Sequence, residues 1–419
     1  MEQMGKLAGC SSRQLHSCPA GCRVQMAKQG AKCMIAPVYT RLLSLLLLLI
    51  LPLVLSGCWD RVEIQDRLFV MSVAIDKTKE SSGKRSYYEF TAQLTEASAL
   101  SGKINNPHIS PVWNATTSGP SIFECIRLMA TRVARQPYYE HLQSIVIGEE
   151  LAKEGIDRPL DLFYRDHESR RKIKLIIAKG TAKDALHVKP KLLPVSGRYI
   201  SMLTEEGEAK TARLPKTASI GQFSSNFHNG GNSVLPAIRT EKQEVKMAGG
   251  AIMKGDKLIG WLSDQDVKAL RWINGTFSAG DEVIIQKIEK EKIPEFTTLE
   301  VKGARSTVKT SIQNGKPVIF LFIRGEGNLA EDGLNHNPTL EKIKNREQLI
   351  NHEIKKKAKG LIALMQKKYK TDVFGFGEEL RRHQYPYWKA HQHDWDEQFQ
   401  NVEVQVDVQT FIRRTGQFK

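Results

Sequence analysis

The sequence predicts an α+β, mixed α/β fold of two to three compact domains, with antiparallel-rich sheets, packed helices and one long helix near the C-terminus. Three observations predict it. Val402, Val404, Val406 and Val408 alternate with Glu403, Gln405, Asp407 and Gln409, the period of a strand with one buried face. Stripes of helical period, around Cys125 and again after Thr339, are interleaved with strand-like runs, so helices and sheets share the same domains. Finally, 419 residues are more than one hydrophobic core organises, while 41% hydrophobic and 26% charged is an ordinary globular composition.

The N-terminal stretch is of another kind. Residues 42–55, LLSLLLLLILPLVL, are interrupted only by Ser44 and Pro52 and end at Leu55-Ser56-Gly57-Cys58. Fourteen helical residues span roughly 21 Å, short of the roughly 30 Å hydrocarbon layer, and a proline near the end breaks the helix further. This is a signal-peptide core rather than a stable membrane span. Small residues before a cysteine suit a lipoprotein signal peptidase, and the pattern resembles a bacterial lipobox. Polarity returns at once in Trp59-Asp60-Arg61. Cys58 is therefore the expected lipidation site, its two acyl chains contributing about 0.8 kcal/mol per buried methylene.

Four of the six cysteines (Cys10, Cys18, Cys22 and Cys33) lie upstream of this signal, and Met34 or Met26 reads as the initiator. Processing would leave Cys58 and Cys125, so no structural disulfide is expected. Removal of residues 1–57 takes away six basic residues and one acidic one, lowering the net charge from +16 to +11. A basic chain on an anionic bilayer gains about 1 kcal/mol for each Lys or Arg near the surface. Nucleic acid would need a cytoplasmic chain, and the signal sequence argues against one.

Along the mature chain, residues 68–76 and 87–94 read as a hairpin. A helix over 121–135 starts at Ser121 and buries Ile122, Cys125, Ile126, Met129 and Val133. Strands at 142–147 and 173–178 flank a short helix at 157–166, completing an N-terminal α/β domain, 58–190. A softer region with short helical pieces follows. Then come a strand-turn-strand at 244–260 and a helix from Ser263 to Ile273, giving a middle domain, 191–285. The C-terminal domain, 286–419, has strands 299–312 and 317–324 around the hairpin dipeptide Asn314-Gly315. Its long helix, about 339–370, carries Ile343, Ile350, Ile354, Leu361 and Met365 on one stripe, with Lys355, Lys356, Lys357 and Lys359 on a solvated face.

Motifs for chemistry are few. The sequence has no phosphate loop, nucleophile elbow, zinc helix or calcium loop, and Gly325-x-Gly327 and Gly375-x-Gly377 read as turns. His391, His393, Asp394, Asp396 and Glu397 are dense but lack convergent ligand spacing; Asp394 and Asp396 read as helix-starting or loop-pinning groups. The carboxylate pairs Asp60/Glu63 and Glu205/Glu206 stand near the anchor and in an exposed run. No catalytic residue, metal ligand or cofactor is expected, and the chain reads as a non-enzyme.

Two stretches carry a family resemblance. Cys58-Trp59-Asp60-x2-Glu63-Ile64 resembles the mature start of the Ger(x)C lipoproteins, the C subunits of nutrient germinant receptors in endospore-forming bacteria. Asp372-Val373-Phe374-Gly375-Phe376-Gly377, Tyr385-Pro386-x-Trp388, Trp395-Asp396, Phe399 and the final strand through Arg413 and Arg414 are similar to that family's C-terminal end. The resemblance implies a three-domain mixed α/β lipoprotein on the outer face of the spore inner membrane. It also implies work alongside membrane-spanning A and B subunits, with no known enzymatic activity. Structural roles are expected for Trp59, Asp60, Glu63, Gly375, Gly377, Trp388, Trp395, Arg413 and Arg414. The rival class is a solute-binding lipoprotein delivering a small ligand to a transporter, with Tyr138, Tyr139 and Trp261 as cleft aromatics.

Cys58→Ala is expected to leave the precursor without fatty acid and to shift the protein out of the detergent phase. Incorporation of labelled fatty acid by the mutant would overturn the anchor assignment.

Overall fold

The computed structural model describes residues 36–55, 63–78, 88–96, 112–191, 193, 195–242, 244–277, 281–287, 295–332 and 339–415. They fall into two units, Met1–Val62 and Glu63–Lys419. The first contains α1 (Ala36–Leu55). Pro52 stands in its last turn and the helix runs on to Leu55, so the break expected there does not occur. A proline this close to the end displaces little of the helical hydrogen bonding. No described helix is long and apolar enough to cross a membrane. Cys58, Trp59 and Asp60 lie outside the described residues.

The second unit begins with a sheet of nine described strands. They are β1 (Arg67–Lys77), β2 (Tyr88–Thr95), β3 (Val112–Gly119), β4 (Gln136–Tyr138), β5 (Ser144–Gly148), β6 (Lys174–Lys179), β7 (Ser233–Glu241), β8 (Glu244–Lys254) and β9 (Lys257–Leu262). Their order is β3-β2-β1-β5-β6-β7-β8-β9, with β4 also beside β1. β1, β5, β6 and β7 run parallel, while β1-β2-β3 and β7-β8-β9 form antiparallel wings. The expected hairpin of β1 and β2 is present, and the chain crosses residue 190 without leaving this sheet.

A parallel centre needs cover on both faces. Val73, Ile75, Ile145, Ile147, Leu175 and Ile177 pack into one core. The intervening Ala74, Val146, Ile176 and Ala178 pack into a second. Helices α2 (Ile122–Ala130), α3 (Glu149–Glu154) and α4 (Asp157–Arg165) join the first core, α5 (Ala182–His187) and α6 (Ser196–Lys210) the second, and α7 (Ile220–His228) the first again. α2 starts where Ser121 Oγ accepts from the Glu124 amide at 3.2 Å. It ends at Ala130, so Val133 reaches the core from outside the helix. α6, at 15 residues, is longer than the short pieces expected.

Two buried charges tie these layers together. Asp76 on β1 accepts from the amides of Ala182 and Lys183 at 2.7 and 2.8 Å, fixing the start of α5. Burial holds its pKa above the ordinary carboxylate value, against the pull of those two donors. Arg271 belongs to α8 (Asp264–Ile273) and is 2% exposed. Its guanidinium donates to the carbonyls of Thr276, Glu208, Thr211 and Leu214, which pins the segment after α6.

α8 opens on a capping box in which Ser263 and Asp266 satisfy each other's amides, as its acidic first turn suggests. Its Val267, Leu270, Trp272 and Ile273 share one core with Ile252 and Leu262 of the first sheet and with the second sheet. That second sheet has the order β10 (Asp281–Lys287), β11 (Glu295–Gln313), β12 (Lys316–Asp332) and β13 (Glu403–Arg414). β10, β11 and β12 are antiparallel, and β13 runs parallel to β12. The turn between β11 and β12 has φ of 49° at Asn314 and 74° at Gly315, the two positive values the hairpin dipeptide supplies.

α9 (Leu340–Leu364) packs Ile350, Ile354, Ala358 and Leu361 against Ile319, Leu321 and Val406 on one face of this sheet. Thr339 caps it, and a π-helical turn, Met365–Tyr369, carries the chain on to Lys370. Short helices α10 (Phe376–His383), α11 (Tyr385–His391) and α12 (Trp395–Phe399) then lead into β13. The valines of β13 face inward and Glu403, Gln405, Asp407 and Gln409 face solvent, following the alternation in the sequence. Gly325 and Gly327 sit within β12, where turns were expected. Added Cβ atoms there would lie 2.9 Å from the Trp272 ring and 2.4 Å from the Glu300 carbonyl, so packing rather than turning requires them.

Cys125 is buried and free, its thiol 3.8 Å from the Tyr88 carbonyl. Burial, with a smaller contribution from Glu124, pushes its pKa up to about 11. Alkylation mapped by mass spectrometry should therefore label Cys125 only after unfolding. The unfolded thiol ionises first, so Cys125's contribution to stability is intact at neutral pH and is lost as pH rises towards about 11. Cys125→Ala should flatten that part of the stability curve, and fast native labelling would refute the burial.

Candidate functional site

The residues singled out near the C-terminus converge on a group that is itself buried. Asp372 follows the left-handed Lys370 and is 6% exposed. Its Oδ1 accepts from the amides of Phe374 and Gly375 at 3.0 and 3.1 Å. Its Oδ2 accepts from the Gly377 amide at 2.8 Å and the Trp395 indole Nε1 at 3.0 Å. Burial raises the carboxyl pKa, and the donors from Gly377, Trp395 and Phe374 oppose that rise.

The local sequence explains the loop. Gly375 has φ of 80°, which a residue without Cβ adopts freely, and it turns the chain into α10. A Cβ on Gly377 would lie 2.5 Å from Trp395 Nε1 and 2.8 Å from the Trp388 ring, so only glycine lets both indoles close over the loop. Trp388 and Trp395 meet edge to face at 5.8 Å, and Phe376 packs with Phe374 and Phe399 at 5.2 and 6.3 Å.

This loop is fastened to the first sheet. Asn232, just before β7, donates through Nδ2 to the Asp372 carbonyl and to Asp396 Oδ1, both at 3.4 Å, while its Oδ1 accepts from the Gly255 amide at 2.9 Å. Lys254 on β8 pairs with Asp396 at 2.9 Å. Tyr369 lies against Gly260 of β9, where a Cβ would meet its ring at 2.2 Å, and donates to the Trp261 carbonyl at 3.4 Å.

Gly375, Gly377, Trp388 and Trp395 are thus brought together. Arg413 and Arg414 are not: they end β13, ten residues or roughly 33 Å of strand beyond Glu403. There Arg413 pairs with Glu326 at 2.9 Å. Glu63 is exposed and opens the turn Ile64–Asp66 before β1. The groups missed from sequence were Asp372 as the centre and Asn232, Lys254 and Tyr369 as its fasteners. An aspartate just ahead of Phe-Gly-Phe-Gly was the available signal.

The other candidates separate. His391 bonds to Asp394 at 3.3 Å, while Asp396 serves Lys254 and Asn232. Glu205 pairs with Lys174 and Glu206 with Lys210, each at 2.6 Å, and both carboxylates are exposed. Tyr139 is buried in the core. Tyr138 lies on β4, beside β1, and Trp261 lies on β9, at the far edge of the sheet. Some four strand spacings, about 19 Å, divide them, so they do not line one cleft.

Fold and site together define a two-sheet α+β protein whose C-terminal loop is clasped around a buried carboxylate. Residues 60–240 match the spore germination protein N-terminal domain, and residues 248–416 match the spore germination B3/GerAC like C-terminal domain. The chain belongs to this family of spore germination proteins. It is 29% identical over 374 residues to spore germination protein B3 of Bacillus subtilis (strain 168), covering 87% of this chain and 95% of that one. Spore germination protein KC of the same organism is 26% identical over 400 residues, covering 90% and 96%. The crystal structure of the GerBC protein shares the fold, with a TM-score of 0.54 and 24% identity over 81% of this chain and 96% of that one.

Asp372→Asn should cost about 2–4 kcal/mol, because an amide nitrogen would face the donors of Gly377 or Trp395 and leave buried groups unmet. Gly377→Ala should destabilise as well and move the tryptophan fluorescence to the red. Urea denaturation followed by fluorescence checks both, and wild-type midpoints would refute the clasp.

Proposed function

We propose that this chain is a non-catalytic, membrane-anchored subunit of a nutrient-sensing spore germinant receptor. It is held to the outer face of the spore inner membrane through Cys58 and works by assembly with membrane-spanning A and B subunits. The observation that carries the reading is the family match from residue 60 to residue 416, which takes in both sheets and the Asp372 loop. The lipobox supports the anchor. About ten residues separate Cys58 from β1, a tether of at most about 35 Å, so the folded unit works close to the bilayer. Asp372 supports a scaffold role, since both of its carboxylate oxygens are taken up by the loop's own amides and the Trp395 indole. The separation of Tyr138 from Trp261 speaks against the solute-binding alternative.

Spores lacking this gene, in a strain without redundant receptors, should lose or strongly slow germination to the nutrients of that receptor while still responding to a nutrient-independent trigger. Tagged protein recovered from spore membranes should bring membrane-spanning companions. Normal responses across a broad nutrient panel, or purification without such companions, would overturn the receptor reading.

A further inference from the structure

Among the described residues, helices cover one face of the second sheet. On the other, Arg305 and Lys309 of β11, Phe322 and Arg324 of β12, and Phe411 and Arg413 of β13 line an open groove of about 910 Å³. All six are exposed. Arg305 and Arg324 are register partners across the antiparallel ladder. Directly opposed residues place their Cβ atoms about 4.5–5.5 Å apart, and like charges so placed destabilise a sheet.

Among the described lining residues the one carboxylate, Glu326, is engaged by Arg413. Among the described residues no carboxylate lies within ion-pair distance of Arg305, Lys309 or Arg324. Lys309 rests over the Phe322 ring at 5.8 Å and Arg413 over Phe411 at 5.3 Å, so the aromatic walls and the cations are interleaved. Arg305 and Arg324 thus stand opposed across the ladder with no carboxylate of the described residues paired to either.

We propose that this groove docks an acidic, extended segment of a partner protein, whose carboxylates bridge Arg305 and Arg324 while its apolar side chains lie against Phe322 and Phe411. Guanidinium forks bind carboxylates in bidentate fashion, and extended segments commonly seat in arginine-lined grooves. Concavity favours a chain over a lipid surface: cations and aromatic rings line one open groove, which a polypeptide enters and a flat bilayer does not. The proposal deepens the receptor reading by naming the surface through which assembly occurs.

The test uses full-length protein in phosphatidylcholine nanodiscs, which occupy the anchor and carry no net charge. The probe is a short fluorescent peptide alternating glutamate and leucine, followed by anisotropy. Saturable binding that weakens with added salt is expected, with the glutamine version and the R305E/R324E variant each weaker by about tenfold. Reversal of two exposed lysines on and after α9, K356E/K367E, should leave affinity within about twofold. R324Q supplies the readout that a structural role would not give: it should raise the melting temperature of the free protein, by relieving the arginine pair, while weakening the peptide.

Equal affinity in wild type and R305E/R324E, or loss of both stability and binding in R324Q, would overturn the proposal. So would dependence of phosphatidylglycerol-nanodisc binding, but not peptide binding, on the arginine pair. The assay contains no other receptor subunit, so its failure leaves the receptor reading standing. Failure of the spore experiment would leave the groove as the site of a different acidic partner.

Discussion

A carboxylate with almost no access to water must be met by donors, because burying an unmet charge costs several kcal/mol. Asp372 is met by three backbone amides and one indole. Those partners dictate the surrounding geometry. Three amides within five residues point inward only if the chain turns at Gly375, and the indole arrives only if Gly377 has no side chain. With the indole in place, the Trp395 helix ends where the chain enters β13. Its neighbour Asp396 is then aimed at Lys254 and Asn232 of the first sheet. The docking of the C-terminal loop on the first sheet therefore follows from where one charge is buried.

How much of this was legible depends on whether the signal was local. The turn at Asn314-Gly315, the cap at Ser263 and the valine alternation of β13 each express a rule contained within a few residues, and each appears in the structure. β3 did not announce itself, because its sequence VWNATTSG is largely polar. Its Asn114 and Thr116 are satisfied across the ladder by Gln93 and Thr91, a pairing that exists only once β2 is beside it. Gly325 and Gly327 misled for the same reason: the Trp272 ring and the Glu300 carbonyl that require them come from other elements. At the site, the aromatic and glycine residues were visible as a motif. Asp372 stood in that motif without a role, since its importance lies in burial, which no local pattern encodes.

The two sheets solve the same problem differently, and the difference sets where recognition is physically available. β1, β5 and β6 are enclosed by helices on both faces, so their side chains are spent on packing. The second sheet has α8 and α9 on one face, and on the other the described side chains of β11, β12 and β13 include exposed Arg305, Lys309, Phe322, Arg324, Phe411 and Arg413. Charge on a bare face is unconstrained by packing, which allows an arrangement such as Arg305 opposite Arg324 that an enclosed strand would not tolerate. Long antiparallel strands suit the purpose: β11 and β12 share a ladder from Gln313–Lys316 at the turn back to Thr297–Asp332. Their cross-strand pairs hold cations and aromatic rings at fixed spacing without help from the partner.

Such a face needs little intrinsic affinity if the molecule is confined. A groove lined by solvent-exposed cations binds modestly in free solution, because exposed ion pairs contribute about 0–1 kcal/mol each and are screened by salt. Under the anchored reading, the chain and a membrane-embedded partner occupy one thin layer. Encounter then becomes effectively intramolecular, with local concentrations on the order of millimolar for short linkers. A weak contact is occupied under those conditions and still separates readily. What a confined encounter rewards is a docking face that keeps its shape, and rigidity between the two sheets is what the Asp372 loop and the shared core around α8 supply.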